Sequence, residues 1–390
     1  MPKTDLIAAL APEITAIRRD FHRHPELMYE VQRTAGIVAD KLREWGVDEV
    51  VTGIGKTGVV GIIKGKGSDS GKVIGLRADM DALPIHEQTN LEHRSTVPGK
   101  MHACGHDGHT AMLLGAAKYL TQTRDFDGTA VLIFQPAEEG GAGAKAMIDD
   151  GLITRFGVQE VYGMHNKPGL AVGRFEIRKG PAMAAADRLH IKIEGKGGHA
   201  AAPHNVNDPI VASCALVSAL QTVTSRNIDP LDSIVVSVTA LNAGEAFNVI
   251  PQTAEIKGSI RTLTPKARET AQKRITEIVE GVMKAFGMKY ELDYHLGYPV
   301  TFNHAGQTDF VTSVTKQAFG SDAINTDIPP TMGSEDFSYM LEERPGAFIN
   351  IGNGDSAGLH HPAYEFNDSV IPVGVNYWAS LVEISMPTRS

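Results

Sequence analysis

Apolar residues recur every three to four positions from residue 4 to 23, with Ile7, Leu10, Ile14 and Ile17 on one side, and again from 30 to 45, where Val31, Ala35, Val38 and Leu42 align. That period predicts two amphipathic helices at the start of the fold. The rhythm then changes to short apolar runs bounded by Gly, Pro or Asp: Val73 to Leu76, Ala130 to Phe134, Val161 to Met164 and Phe348 to Ile351. Such runs predict strands of a buried sheet, alternating with helical stretches such as Thr110 to Leu120 and Ala144 to Asp149. The first three runs lead straight into Arg77-Ala78-Asp79-Met80-Asp81, Gln135-Pro136-Ala137-Glu138-Glu139 and His165-Asn166. In open α/β sheets ligands collect beyond the carboxyl ends of the strands, so these polar residues are expected to share an edge.

The middle of the chain has a different pattern. Leu189 to Glu194 alternates as a strand, Asp208 to Thr224 is helical, Ser233 to Leu241 and Thr253 to Leu263 read as strands, Lys266 to Phe286 as a long helix and Lys289 to Leu296 as a strand. The order β-α-β-β-α-β is that of a ferredoxin-like split βαβ unit, with a four-stranded antiparallel sheet under two helices. The expectation is an inserted α+β domain over residues 186–298 and a discontinuous α/β catalytic domain over 1–185 and 299–390. A length of 390 residues suits two domains, each with its own core.

Charge and composition narrow the function. Lys and Arg number 37 against 46 Asp and Glu, and no basic run interleaved with aromatics could track a phosphate backbone, so nucleic acid is not an expected partner. No apolar stretch approaches the ~20 residues that span a bilayer, and the N-terminus lacks the order of a secretory signal, so the expected location is cytoplasmic, with no membrane partner. Cys104 and Cys214 are the two cysteines; the second falls in the apolar helical pattern Pro209 to Leu220 and is expected to be a small buried hydrophobe.

The chemistry is concentrated in Met101-His102-Ala103-Cys104-Gly105-His106-Asp107-Gly108-His109, which places a thiol, three imidazoles and a carboxylate within nine residues. Cys104 and His106, one residue apart across Gly105, can aim at one cation from a loop. Glu138 and Glu139 emerge from an apolar run through Pro136, and like charges held that close call for a metal or a raised pKa. Glu139 is read as a ligand and Glu138 as a general base. His165 ends another strand, and one histidine of Gly358-Leu359-His360-His361-Pro362 is expected to complete the set. Asp81 is a candidate for orienting a catalytic group or holding a ligand in place, and Asp79 for capping a turn. The scattered histidines His22, His24, His86, His93, His190, His295 and His304 are expected on the surface or as caps. In the inserted segment, His199 follows Gly195-Lys196-Gly197-Gly198 on a glycine hairpin and can donate to a developing oxyanion, while Asn248 and Arg261 offer an amide and a guanidinium suited to a carboxylate.

Together with Phe21-His22-Arg23-His24-Pro25-Glu26, Gly197-Gly198-His199-Ala200 and Met332-Gly333-Ser334-Glu335-Asp336-Phe337, these motifs run along nearly the whole chain. In that order they resemble the amidohydrolase branch of the M20 metallopeptidases, the group of hippurate hydrolases, N-acyl-amino-acid amidohydrolases and auxin-conjugate hydrolases. The resemblance implies a zinc-exopeptidase type of catalytic domain with a mixed sheet, and an inserted domain that acts as a lid and dimerisation module. It implies two divalent ions (Zn, Mn, Co or Ni) held by Cys104, His106, Glu139, His165 and His360, with Glu138 activating water and Asp81 in the supporting carboxylate position. His360 is preferred over His361 because the family's ligand stands two residues before the proline. Asp79 stands where the wider group carries a histidine ligand, whose coordination Cys104 takes over. His199 matches a histidine lent across the subunit boundary of a homodimer or higher homo-oligomer, and Asn248 and Arg261 match positions tied to the oxyanion and the substrate carboxylate.

The implied reaction is hydrolysis of an N-acyl-amino acid to a carboxylic acid and a free amino acid. Two alternatives use the same residues: an aminopeptidase or dipeptidase acting through the same ions, and a binding protein without catalysis. The first needs an acidic group for the substrate ammonium, which the sequence does not display. The second has no use for Glu138.

Overall fold

The structure, a computed structural model, describes residues 1–67 and 69–388. They form two compact units, one of residues 1–180, 302–329 and 336–390 and one of residues 181–301 and 330–335.

The first unit is built on an eight-stranded mixed sheet in the order Glu49–Ile54, Gly58–Lys64, Thr129–Gln135, Val73–Asp79, Glu160–Pro168, Gly346–Gly354, Phe175–Glu176, Ile324–Asn325. Its four central strands, Thr129–Gln135 through Gly346–Gly354, are mutually parallel. Nearly all their residues are buried, which explains apolar runs without alternation. The parallel register brings the carboxyl ends of all four to one edge.

Helices cover this sheet for reasons visible in their spacing. Thr4–Arg23 buries Ile7, Leu10, Ile14, Ile17 and Phe21, and Gln32–Glu44 buries Ala35, Val38, Ala39 and Leu42. Helix His106–Thr123 packs against Thr4–Arg23 and against the terminal helix Val370–Ser385. That last helix buries Val370, Ile371, Val375, Trp378, Leu381 and Val382 around most of its circumference, so no single stripe marks it in the sequence. The strand pair Glu49–Ile54 and Gly58–Lys64 and the helix Ala305–Phe319 are likewise additions to the expected elements. The pair turns at Gly55 and Lys56, with φ of 59° and 80°. Glycines around an apolar pair of runs are the hairpin signal that would have revealed it.

In the second unit the strands lie in the order Ile234–Asn242, Thr253–Thr262, Ala185–Glu194, Lys289–His295, antiparallel throughout. Leu189, Ile191 and Ile193 turn to one face, where they meet Leu216 and Leu220 of helix Pro209–Thr222 and Ile275, Val279 and Met283 of helix Pro265–Phe286. The carboxylate of Asp208 accepts the Ile210 N–H at 2.8 Å and the Thr264 hydroxyl accepts the Ala267 N–H at 3.1 Å; with a proline following each cap, both starts are fixed locally. One expectation fails here. Cys214 is exposed, because the buried stripe of its helix runs through Ala212, Leu216 and Leu220 and leaves residue 214 on the other side. Among the described residues no helix is long and apolar enough to cross a membrane.

Candidate metal centre

The edge formed by the four parallel strands carries the cluster. The strand Val73–Asp79 delivers Asp81 two residues beyond its end, Thr129–Gln135 delivers Glu138 and Glu139 through a turn, Glu160–Pro168 contains His165, and the loop after Gly346–Gly354 carries His360. Two of these turns hold a residue with a side chain in the left-handed region, Ala137 at φ 54° and His360 at φ 63°. Such conformations cost about 1–2 kcal/mol and are concentrated at functional sites.

Cys104 and His106 flank Gly105, which has φ 90° and caps helix His106–Thr123. A Cβ at residue 105 would run into Nδ2 of Asn166 and stand 2.6 Å from the Tyr364 hydroxyl, both buried. Gly105→Ala is therefore expected to destabilise the fold by at least 2 kcal/mol, roughly the sum of the left-handed penalty and an overpacked core. A denaturant midpoint at the wild-type value would refute this.

The donors converge. Ligand atoms of Cys104, His106 and His165 lie within 4.8 Å of one another, as do those of Cys104, Glu139 and His360 and those of His106, Glu138 and Glu139. His106 donates from Nδ1 to the Asp81 carbonyl at 2.8 Å, and His165 from Nδ1 to the Asn166 carbonyl at 2.7 Å. Each imidazole is thus locked with Nε2 as its lone-pair atom, the arrangement of metal-binding histidines. His165 Nε2 stands 3.4 Å from the Cys104 sulfur, and His360 Nε2 is 3.3 Å from Glu139 Oε1. His361 instead accepts the Ala363 N–H on its own loop. His106 Nε2 and Glu139 Oε1 are buried and make no hydrogen bond, which leaves two donor atoms aimed into the cluster with their capacity unspent.

The Asp81 carboxylate accepts the Glu138 N–H at 2.9 Å and the Glu139 N–H at 3.1 Å, so one side chain fixes the turn that carries both glutamates. Asp79 departs from the expected cap: it is fully buried and bonded to Arg77 Nη1 at 2.7 Å and His109 Nδ1 at 2.6 Å.

Electrostatics point the same way. Burial opposes charge at His106, but Asp79 and Cys104 hold it protonated well above the usual imidazole range. The Cys104 sulfur and the Glu139 carboxylate beside it push His360 up to about 10. Burial raises the Cys104 thiol, against the pull of His106. Burial also works against the Glu139 carboxylate, which His360 and His106 nonetheless hold below its ordinary value. A field that draws protons onto imidazoles draws cations, and a metal ion competes for the same lone pairs. Thiolate, imidazole and carboxylate donors suit a borderline divalent ion, so these residues fit the group.

Residues 75–384 match the model of peptidase family M20/M25/M40. The chain is 44% identical over 375 residues to hippurate hydrolase of Campylobacter jejuni, covering 96% of this chain and 97% of that protein. The chain belongs to the M20 family. It is 40% identical to N-acetylcysteine deacetylase of Bacillus subtilis, over 95% of this chain and 96% of that one. Among solved structures it is similar to the Bacillus subtilis YXEP protein, a dinuclear metal-binding peptidase of the M20 family, with a TM-score of 0.84, 36% identity and coverage of 97% and 99%. This M20 chain is a metal-dependent amidohydrolase that binds divalent metal ions.

In the second unit of the M20 chain, His199 and Asn248 come together on a two-stranded arm. Val249 pairs with His199, Ala200 N–H donates to the Asn248 carbonyl at 3.0 Å, and both side chains are exposed. Arg261 sits on strand Thr253–Thr262, half-buried, and donates to the Ser334 hydroxyl at 2.9 Å and the Ser259 hydroxyl at 3.3 Å. Its guanidinium pKa is lowered by burial and by the neighbouring Arg188.

Two of the histidines expected at the surface are in fact buried. His22 donates to Asp107 at 2.9 Å and to Glu87 at 3.3 Å, and His93 Nε2 accepts from Arg18 at 2.7 Å. The amphipathic pattern of helix Thr4–Arg23 places residue 22 beside Phe21 on the inner face, and a scattered histidine gives no sign of partners 65 to 85 residues away. Burial lowers His22, but Asp107 and Glu87 overcome it and push the imidazole up to about 9. Burial and the Arg18 charge lower His93 to about 4, and burial lowers His102 to about 3. The linkage has two limbs. Between pH 6.5 and about 9 the folded state holds the His22 proton that the unfolded chain has released, so stability falls as pH rises, by on the order of 3 kcal/mol in full. Below 6.5 the unfolded chain takes up protons that folded His93 and His102 refuse, so stability falls as pH falls. Urea midpoints across this range are expected to peak near pH 6.5, and His22→Asn to make the alkaline limb shallower, with His106 and His360 supplying the remainder.

Proposed function

We propose that this amidohydrolase cleaves the amide bond of N-acyl-amino acids, of the benzoyl-glycine or N-acetyl type, using two divalent ions. The observation that carries the reading is that Cys104 belongs to two donor trios, one with His106 and His165 and one with Glu139 and His360, while Glu138 lies within reach of His106 and Glu139. Two adjoining trios that share the Cys104 side chain would hold two adjoining ions. When bound, such a pair polarises the acyl carbonyl and acidifies the attacking water.

The chain's own residues do the rest. Glu138, buried beside the donors, takes the water proton and returns it to the leaving nitrogen. Asp81 keeps Glu138 in place through its main chain. His199 donates to the oxyanion, with Asn248 beside it, and the Arg261 guanidinium donates to the substrate carboxylate. The second unit serves as lid and as the surface for pairing with a second copy. The limits expected from the sequence, 1–185 with 299–390 and 186–298, differ from the two compact units by a few residues at each junction and by residues 330–335, which group with the second unit.

The names of the relatives support the substrate class: one acts on hippurate and one on N-acetylcysteine. The test is amino-acid release from benzoyl-, acetyl- and indoleacetyl-amino acids by protein stripped with chelator and then given Zn²⁺, Mn²⁺, Co²⁺ or Ni²⁺. Release that returns with metal is expected, and the ranking of acyl groups and ions follows from the same assay. Release from dipeptides with none from acyl-amino acids would overturn the substrate assignment in favour of a peptidase.

A further inference from the structure

His109 is the one histidine of the Cys104–His109 run with no lone pair to offer. Its Nε2 accepts the main-chain N–H of Asn166 at 3.0 Å, so its proton is on Nδ1, which donates to Asp79 at 2.6 Å. Asp79 in turn is held by Arg77, whose guanidinium also bonds Gln135 Oε1 at 2.8 Å and Asp336 Oδ1 at 3.0 Å. The line of buried polar groups therefore ends on Asn166. There it branches toward both sides of the first donor trio. The Asn166 amide donates to the Cys104 carbonyl at 2.6 Å, its own carbonyl accepts His165 Nδ1 at 2.7 Å, and its side-chain oxygen accepts the Tyr364 hydroxyl at 2.7 Å.

We propose that Asn166 is a positioning residue: fixed by His109 on one side and Tyr364 on the other, it sets the Cys104 sulfur against His165 Nε2 and so determines the geometry of the thiolate–imidazole half of the centre. The inference rests on Cys104 and His165 being ligands. Every atom of the Asn166 side chain and main chain that can bond is used, and the residue is buried. Neither of its neighbours can be moved independently. Rotation of the amide strands the Cys104 carbonyl and the Tyr364 hydroxyl at once, and the Cys104 carbonyl cannot be recovered by water in a packed interior. The requirement for glycine at 105 has the same origin, since that residue leaves room for the Asn166 amide. The Asp79 position gains a reason as well: its carboxylate anchors the far end of the line.

The test uses the full chain loaded with Co²⁺, whose absorption reports a thiolate ligand through its charge-transfer band. Asn166→Asp keeps the shape and the acceptor for Tyr364 but removes the donor to Cys104. Tyr364→Phe removes only the hydroxyl. The expected results are a Co²⁺ affinity, measured by chelator competition, weaker by about 10–100-fold in Asn166→Asp and by a smaller factor in Tyr364→Phe, with the thiolate band displaced or lost in the first at saturating metal. Tyr377→Phe, which removes a buried hydroxyl without a partner, is the control and is expected to leave both the band and the affinity unchanged. A role in stability alone would lower the melting temperature and leave the band of the saturated protein as in the wild type; that outcome overturns the proposal. Should Asn166→Asp not fold, wild-type affinity in Tyr364→Phe overturns it. A wild-type protein that binds Co²⁺ without any thiolate band overturns the ligand assignment of Cys104 instead, and the inference falls with it.

Discussion

Glu138→Gln is expected to reduce kcat by about 10²–10⁴-fold while leaving metal content at the wild-type level. The amide has the shape of the carboxylate, so the buried position remains filled, and the turn that carries it is fixed by Asp81 through main-chain N–H groups that the substitution does not touch. What is lost is the ability to take a proton from water and hand it to the leaving nitrogen. The two glutamates are distinguishable on this basis. Glu139 has Oε1 buried without a hydrogen bond and His360 Nε2 3.3 Å away, so its loss is expected to release metal. Metal analysis alongside single-turnover kinetics tests both statements. Stoichiometric loss of metal from Glu138→Gln would assign Glu138 as a ligand and remove it from the role of base.

Chelation is expected to abolish hydrolysis completely and to lower the melting temperature, with both restored by adding back a divalent ion. The thermal effect follows from linkage: an ion that binds only the folded chain adds about 1.4 kcal/mol of stability for each tenfold rise in its concentration above Kd. His106 Nε2 and Glu139 Oε1 are buried beside Cys104 without hydrogen bonds, so an ion that engages them also satisfies polar atoms the core otherwise leaves unpaired. Scanning calorimetry over a series of free metal concentrations measures this directly. A melting temperature indifferent to metal, with activity retained after stripping, would contradict the two-ion reading.

The linear pattern of residues determined a good deal. Helices Thr4–Arg23 and Gln32–Glu44 and the four central strands were legible because each meets the core along a face or through its whole length, and burial then writes a period or an unbroken apolar run into the sequence. The β-α-β-β-α-β order of the second unit was legible for the same reason. The helix Val370–Ser385 was not, since burial on nearly all sides erases periodicity.

The metal centre divides along a similar line. Unusual residue types at close spacing in Cys104-Gly105-His106 and Glu138-Glu139 mark the chemistry within single segments, and these segments are fixed by local turns. The choice of His360 over His361 came from a family pattern; in three dimensions it corresponds to a left-handed residue turned toward Glu139 and a neighbour turned to its own loop. Which histidines are buried supports belonged to tertiary structure alone. His22, His93 and His109 acquire their states from Asp107, Arg18, Asp79 and Asn166, partners up to 85 residues distant, and Cys214 is exposed because its helix presents a different stripe. A titratable side chain reveals its type in the sequence, but its charge and role depend on solvation and on the groups within a few ångströms, and the folded chain decides both.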